Sequence, residues 1–209
     1  MSDIEAPDLH QQRLLHVVER LRASGARKVL DLGCGSGGLL QYLLHQPQFE
    51  KLVGLELSGE LLAQAKFRLG RLPQARQGRL ELVCGSYTEH HPALTGFAGA
   101  AMVETIEHIP PERLSAVEQV VFGGLRPGYL VMTTPNSEYN PLFDLEDGEF
   151  RDPDHKFEWP RDRFRDWAQG VARRNGYRVR FGGVGEWHSH LGQPTQLAAF
   201  SLQDVAMRP

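Results

Sequence analysis

Short apolar runs alternate along this chain with stretches whose apolar residues recur at helical spacing. Leu9, Leu14, Leu15, Val18 and Leu21 fall at mostly helical intervals within residues 8–23, which predicts an amphipathic opening helix. Lys28-Val-Leu-Asp-Leu32 reads as a short buried strand. It runs into Gly33-Cys-Gly-Ser-Gly-Gly38, then into a helix through Leu39, Leu40, Leu43 and Leu44 that stops near Pro47. A second strand, Lys51-Leu-Val-Gly-Leu-Glu56, leads to Ser58, a natural N-cap for a helix at 60–69. Further strands are expected at Leu80–Cys84, Phe97–Val103 and Tyr129–Thr133, with a helix from Pro110 to Phe122 between the last two. Residues 134–158 show no period. A helix from Arg161 to Asn175 ends at Gly176, and strands at Tyr177–Phe181 and Gln196–Leu202 close the pattern.

Strands alternating with helices imply βαβ units. The expected fold is therefore α/β: a doubly wound, mostly parallel seven-stranded sheet, with the last two strands as an antiparallel hairpin at its edge. No repeat, low-complexity tract or linker interrupts it, so residues 1–209 read as one domain.

Composition narrows the function classes. The hydrophobic fraction of 41% and charged fraction of 23% suit a globular chain. A net charge of −3 does not suit wrapping long DNA, yet permits gripping one end of a strand. Cys34 and Cys84 are too few for a disulfide framework and read as free thiols. The N-terminus lacks a basic start before an apolar run, and no stretch is apolar enough to span a membrane. A cytoplasmic monomer without a membrane partner is expected.

Glycines after a strand let the backbone turn tightly and let a ligand approach the helix N-terminus, as many pyrophosphate-binding turns do. Here Asp31 precedes the first glycine; an acid there repels a pyrophosphate and suits a cationic amino-acid moiety. The run Val-Leu-Asp-Leu-Gly-Cys-Gly-Ser-Gly with Glu56 ending the second strand resembles the class I S-adenosylmethionine-dependent methyltransferases. That resemblance implies a cofactor site in which Asp31, Gly33 and Gly35 surround the methionine part, Glu56 takes the ribose hydroxyls and Ser86 flanks the adenine.

Glu104, Glu107 and His108 stand at i, i+3 and i+4 just after the fourth strand, where ligands collect in open α/β sheets. In a helical turn they would share one side. Two carboxylates and an imidazole there suit Mg²⁺ or Mn²⁺, the imidazole favouring Mn²⁺. Spacing alone also fits a solvated helix face. His155, in a turn-rich loop between aromatic residues, is free to reach the same sheet edge.

The segments Glu-Thr-Ile-Glu-His-Ile, Thr-Pro-Asn-Ser-Glu-Tyr-Asn, Phe-Arg-Asp-Pro-Asp-His-Lys-Phe-Glu-Trp and Arg-Phe-Arg-Asp-Trp resemble the small-RNA 3′-terminal 2′-O-methyltransferases, over about residues 26 to 185. These methylate plant microRNAs and animal piwi-interacting RNAs, with bacterial relatives in RNA repair. Ala98 departs from the family, which often has an acid there. The resemblance implies Glu104, Glu107, His108 and His155 as metal ligands and catalytic residues, with His108 or His155 also able to accept a proton. It implies the 3′ end of a small RNA as substrate, contacted from Pro135, Asn136, Tyr139 and Asn140. An Argonaute- or Piwi-type protein or an RNA ligase would deliver it.

Between 151 and 180, nine Arg or Lys against five Asp or Glu leave a local positive surplus, fitting a phosphate track or a solvated helix face equally. Trp159 and Trp167 fit a core better than base stacking. The pairs His90-His91 and His188/His190 read as surface histidines. Two other functions remain open: metal-dependent methylation of a catechol-like vicinal diol, and a non-enzymatic scaffold binding RNA or protein.

Overall fold

A computed structural model describes residues 8–75, 78–143, 145–146 and 148–203. The first seven residues of the N-terminal reading, and both ends of the single-domain reading, lie outside them. The Asp8 carboxylate caps helix α1 (Leu9–Ala23) by accepting the Gln11 amide. That helix buries Leu14, Val17, Val18 and Leu21. Leu15, placed in the apolar stripe by its spacing, lies roughly 100° from the stripe's centre and is 39% exposed.

The chain continues through β1 (Lys28–Leu32), α2 (Gly38–Leu44), β2 (Lys51–Glu56), α3 (Gly59–Leu69), β3 (Leu80–Cys84) and β4 (Gly99–Val103). After them come α4 (Leu114–Val117), β5 (Tyr129–Pro135), α5 (Arg161–Asn175), β6 (Tyr177–Val184) and β7 (Thr195–Leu202). One expected helix differs. Residues 110–122 form a 3₁₀ turn at Pro111–Arg113, the single α-turn of α4, and a π-helix at Glu118–Leu125. The wide turns end at Gly123-Gly124, poor α-helix formers, and the Arg126 amide closes on the Val121 carbonyl at 3.0 Å.

The seven strands form one sheet in the order β3-β2-β1-β4-β5-β7-β6. The first five run parallel, and β7 is antiparallel to both β5 and β6. The fold and its edge hairpin are as the pattern predicts. Alternate residues feed two cores. Leu30, Leu32, Val53, Leu55, Ala100, Met102, Leu130 and Met132 pack against α4, the π-helix and α5. Val29, Leu52, Ala101 and Val131 face α1, α2 and α3. Burying each large side chain stabilises by about 1.5–3 kcal/mol. Among the described residues no helix is long and apolar enough to cross a membrane.

This order also positions the site. From β1 the chain winds outward to β2 and β3, then returns to β4 on the other side of β1. The loops after β1 and β4 diverge there and leave a crevice beyond the strands' carboxyl ends.

Candidate active site

The first wall of the crevice follows β1. Asp31 is buried and its Oδ2 has no hydrogen-bond partner. Burial first, and the Glu56 charge second, push its carboxyl up to about 7. Gly33 has φ +81°, and a Cβ there would lie 2.6 Å from Thr105 Cγ2, so glycine is required on both counts. The amides of Gly33 and Cys34 donate to the Leu55 carbonyl at 2.8 and 3.0 Å, tying the loop to the end of β2. Glu56 accepts the Gly35 amide on Oε2 (2.9 Å) and the Ser58 amide on Oε1 (2.8 Å). Cys34 and Cys84 are free, and burial raises the Cys34 thiol.

Two cavities meet across this loop. One, of about 480 Å³, is bordered by Gly33, Glu56, Leu57, Ser86 and His108. The other, of about 520 Å³, is bordered by His10, Asp31, Gly35, Tyr42 and Glu104. Ser86 is buried on the loop after β3, with Oγ 2.7 Å from Thr88 Oγ1. His91, expected as a mere surface residue, props this loop: its Nε2 lies 2.8 Å from the Ser86 carbonyl.

The opposite wall follows β4. Glu104 takes φ +51°, outside helical space, and the 3₁₀ turn starts only at Ile106. The expected single helical turn therefore does not form. Glu104 faces Arg13 (3.4 Å) rather than lying beside its neighbours. Glu107 and His108, within the turn, converge with His155. Their donor atoms all lie within 4.8 Å of one another, and Glu104 is outside that group. The His155 loop is drawn in where the Lys156 amide donates to the Glu107 carbonyl at 2.7 Å.

Glu107 is fully buried; its Oε2 accepts the Thr134 hydroxyl at 2.9 Å and its Oε1 has no partner. Burial, then the charge of Glu104, holds its carboxyl well above the usual range. Burial raises Glu104 too, against the pull of Arg13. Each histidine has its Nδ1 against a carboxylate: His108 on Asp154 (3.1 Å) and His155 on Glu158 (2.6 Å). Among the described residues neither Nε2 has a hydrogen-bond partner. Two imidazoles so oriented, beside an orphaned carboxylate oxygen, are a donor set fitted to a divalent cation. A third cavity of about 560 Å³ opens here, bordered by Arg13, Glu104, Pro135, Phe143 and His155. Glu104 borders all three cavities, and His108 borders the first and third.

Of the four expected substrate contacts, Pro135 alone borders this cavity. Asn136 is buried, its amide nitrogen donating to the carbonyls of Leu191 (2.8 Å) and Gln193 (2.9 Å). Tyr139 is buried, and Asn140 bonds Glu158 and Arg151. Trp159 is core, stacked on Phe157 at 4.2 Å. Arg13, Arg151, Asp154 and Glu158 were not among the expected residues. The last two flank His155 in its own segment, which is the signal that points to them.

A methyltransferase domain family matches residues 29–128. A crystallised methyltransferase domain of a bacterial Hen1 protein, CtHen1-CN, is 40% identical, covering 93% of this chain and 100% of that one with a TM-score of 0.85. The chain belongs to the small RNA 2′-O-methyltransferase family. A small RNA 2′-O-methyltransferase from Xenopus tropicalis is 39% identical over 204 residues, covering 93% of this chain and 55% of that protein. One from Mus musculus is 38% identical, covering 93% and 51%. The chain thus spans about half the length of the curated relatives it matches. The family's fold is shared more widely: an S-adenosylmethionine-dependent methyltransferase from Clostridium acetobutylicum superposes with a TM-score of 0.68 at 13% identity.

Proposed function

We propose that this domain transfers a methyl group from S-adenosylmethionine to the 2′-hydroxyl of the 3′-terminal nucleotide of a small RNA, beside a divalent cation held by Glu107, His108 and His155. One observation carries the reading. Glu104 and His108 border both a cavity of the cofactor wall and the cavity that contains His155. A group seated at that junction touches both walls.

On the cofactor wall, the unpartnered Asp31 oxygen suits the ammonium of the methionine part. Gly33 and Gly35 offer backbone without side chains. Glu56, whose oxygens accept only amides among the bonds it makes, suits two ribose hydroxyls, with Ser86 beside the adenine. When bound, the cofactor supplies an electrophilic methyl group and the cation, Mg²⁺ or Mn²⁺, supplies Lewis acidity to a hydroxyl oxygen. Glu107, His108 and His155 would hold the cation, and a hard cation there would favour the two oxygens of a terminal 2′,3′-diol. An internal nucleotide has no such diol. The histidine Nε2 atoms are the wall's proton acceptors wherever they are not ligating.

The test is mass spectrometry of the 3′ nucleoside after incubating short single-stranded RNA with Mn²⁺ and cofactor. A 2′-O-methyl nucleoside is expected from a diol end, and none from 2′-deoxy ends. Methylation of a 3′-phosphate end as fast as a diol would overturn the bidentate grip. Methylated catechol with inert RNA would overturn the substrate class.

A further inference from the structure

His155 is held through a chain of side chains whose hydrogen-bond polarity is set at its far end. A guanidinium only donates. Arg151 Nε donates to Asn140 Oδ1 at 2.7 Å, so the other Asn140 atom, Nδ2, must be the one that meets Glu158. Nδ2 donates to Glu158 Oε2 at 2.6 Å, and the Arg151 amide donates to Oε1 at 2.8 Å. Both oxygens of this fully buried carboxylate side chain are thereby made acceptors. The remaining contact on Oε1, 2.6 Å from His155 Nδ1, is then left for the imidazole to donate.

We propose that Arg151, Asn140 and Glu158 form a one-way hydrogen-bond relay that locks His155 as the Nδ1–H tautomer and keeps Nε2 bare for a ligand. They are positioning residues, and the inference deepens the cation reading above. Arg151, which borders the third cavity, is anchored on the backbone of two other segments. Arg151 Nη1 and Nη2 donate to the carbonyls of Pro194 (2.7 Å) and Asn136 (2.5 Å), and the Phe143 ring lies 4.5 Å from the guanidinium carbon. Asn136 in turn fixes the loop before β7 through Leu191 and Gln193. The Thr-Pro-Asn-Ser-Glu-Tyr-Asn segment thus acts behind the histidine.

The relay is read by multiple-bond ¹H–¹⁵N NMR of metal-free protein carrying ¹⁵N-histidine, at about pH 8, where an ordinary imidazole is neutral. His155, assigned by its loss in His155→Gln, should show a protonated Nδ1 and a bare Nε2. An Nε2–H tautomer in the wild type would overturn the proposal, and this measurement needs no folded variant. In Glu158→Gln the new amide nitrogen meets Asn140 Nδ2 donor to donor, and in Asn140→Asp a second carboxylate faces Glu158. Each should give a mixed tautomer signature and bind Mn²⁺ about 10- to 100-fold more weakly by electron paramagnetic resonance. Folded variants that keep the wild-type spectrum and Mn²⁺ affinity would also overturn it. Inert RNA with the tautomer intact removes only the function above, whereas methylated RNA with the tautomer reversed removes only the relay.

Discussion

The two walls of the cleft are assembled by different means. On the cofactor wall Asp31, Gly33, Gly35, Glu56 and Ser86 lie at or just beyond the carboxyl ends of three adjacent parallel strands, so strand pairing alone brings them together. On the cation wall, His108 meets Asp154 from 46 positions away, and no strand carries the 151–158 loop. That loop is held by one backbone bond, the Lys156 amide on the Glu107 carbonyl, and by two side-chain contacts, Arg151 on the Pro194 carbonyl and Glu158 on His155. A wall set by strand pairing responds mainly to loss of the residue that touches the ligand. One closed by a side-chain lattice should also respond to residues that touch no ligand.

Removing a donor on the cation wall has the largest expected effect. Glu107→Ala should lower methyl transfer by about 10³-fold or more, on the scale of losing a preorganised charge-stabilising group. Cofactor affinity by calorimetry should stay within about twofold, because the cofactor wall keeps its own residues. Retained turnover would remove the cation from the mechanism; lost cofactor binding would mean that the walls are not separate.

Asp31→Asn is the mirror experiment. It should weaken cofactor binding by about 30- to 1000-fold, the cost of truncating one partner of a buried charge pair, and leave Mn²⁺ affinity intact. It also has a pH signature. Asp31 binds its proton more tightly folded, with a pKa of about 7, than at the ordinary 3.8. The stability this supplies is fully present below about pH 3.8 and is lost as pH rises through about 7. Thermal unfolding of ligand-free wild type should therefore fall across that window, and Asp31→Asn should fall less steeply.

The walls touch where Gly33 meets Thr105, and that contact sharpens the comparison. Gly33→Ala should destabilise by about 2–3 kcal/mol, from the left-handed φ and the overlap with Thr105 Cγ2. Thr105→Ser removes that methyl group and should recover part of the loss in denaturant unfolding. Additive effects of the two substitutions would show that the loops after β1 and β4 do not press on each other.

The same division explains what the sequence reveals. Most strands are short apolar runs bounded by glycine, proline or charge, and Ser58 and Gly176 mark helix ends by their own chemistry, so the sheet is legible to within two or three residues: β4 starts at Gly99 rather than Phe97, and β5 and β6 run on to Pro135 and Val184. The cofactor wall is legible for the same reason. The cation wall is only half so. Glu107 and His108 follow a strand, but the φ of +51° that turns Glu104 towards Arg13 depends on a buried guanidinium from α1, which spacing cannot report. The π-helix after α4 is likewise a tertiary outcome, its Glu118 accepting from Arg174 and Asn175 of α5. Asn136 and Asn140 stand in a motif next to the site, yet their partners lie on loops near 151, 158 and 191 that only the fold brings close.

The smallest expected effect tests the cation wall against itself. His108 is supported much as His155 is, with Nδ1 on a carboxylate, but Asp154 is 70% exposed and the Glu158 side chain is 0% exposed. Lys156 bonds Asp154 Oδ1 at 2.8 Å and, ahead of His108, holds that carboxyl below its usual range. Water can replace an exposed partner, and salt screens it. Asp154→Asn should therefore weaken Mn²⁺ binding by about fivefold at most, with the gap to wild type narrowing as salt is raised. Glu158→Gln should cost more and be insensitive to salt, because the Glu158 side chain is itself buried. Equal losses in the two variants would mean that burial of the supporting carboxylate is irrelevant, and that the lattice behind His155 confers nothing an exposed aspartate does not.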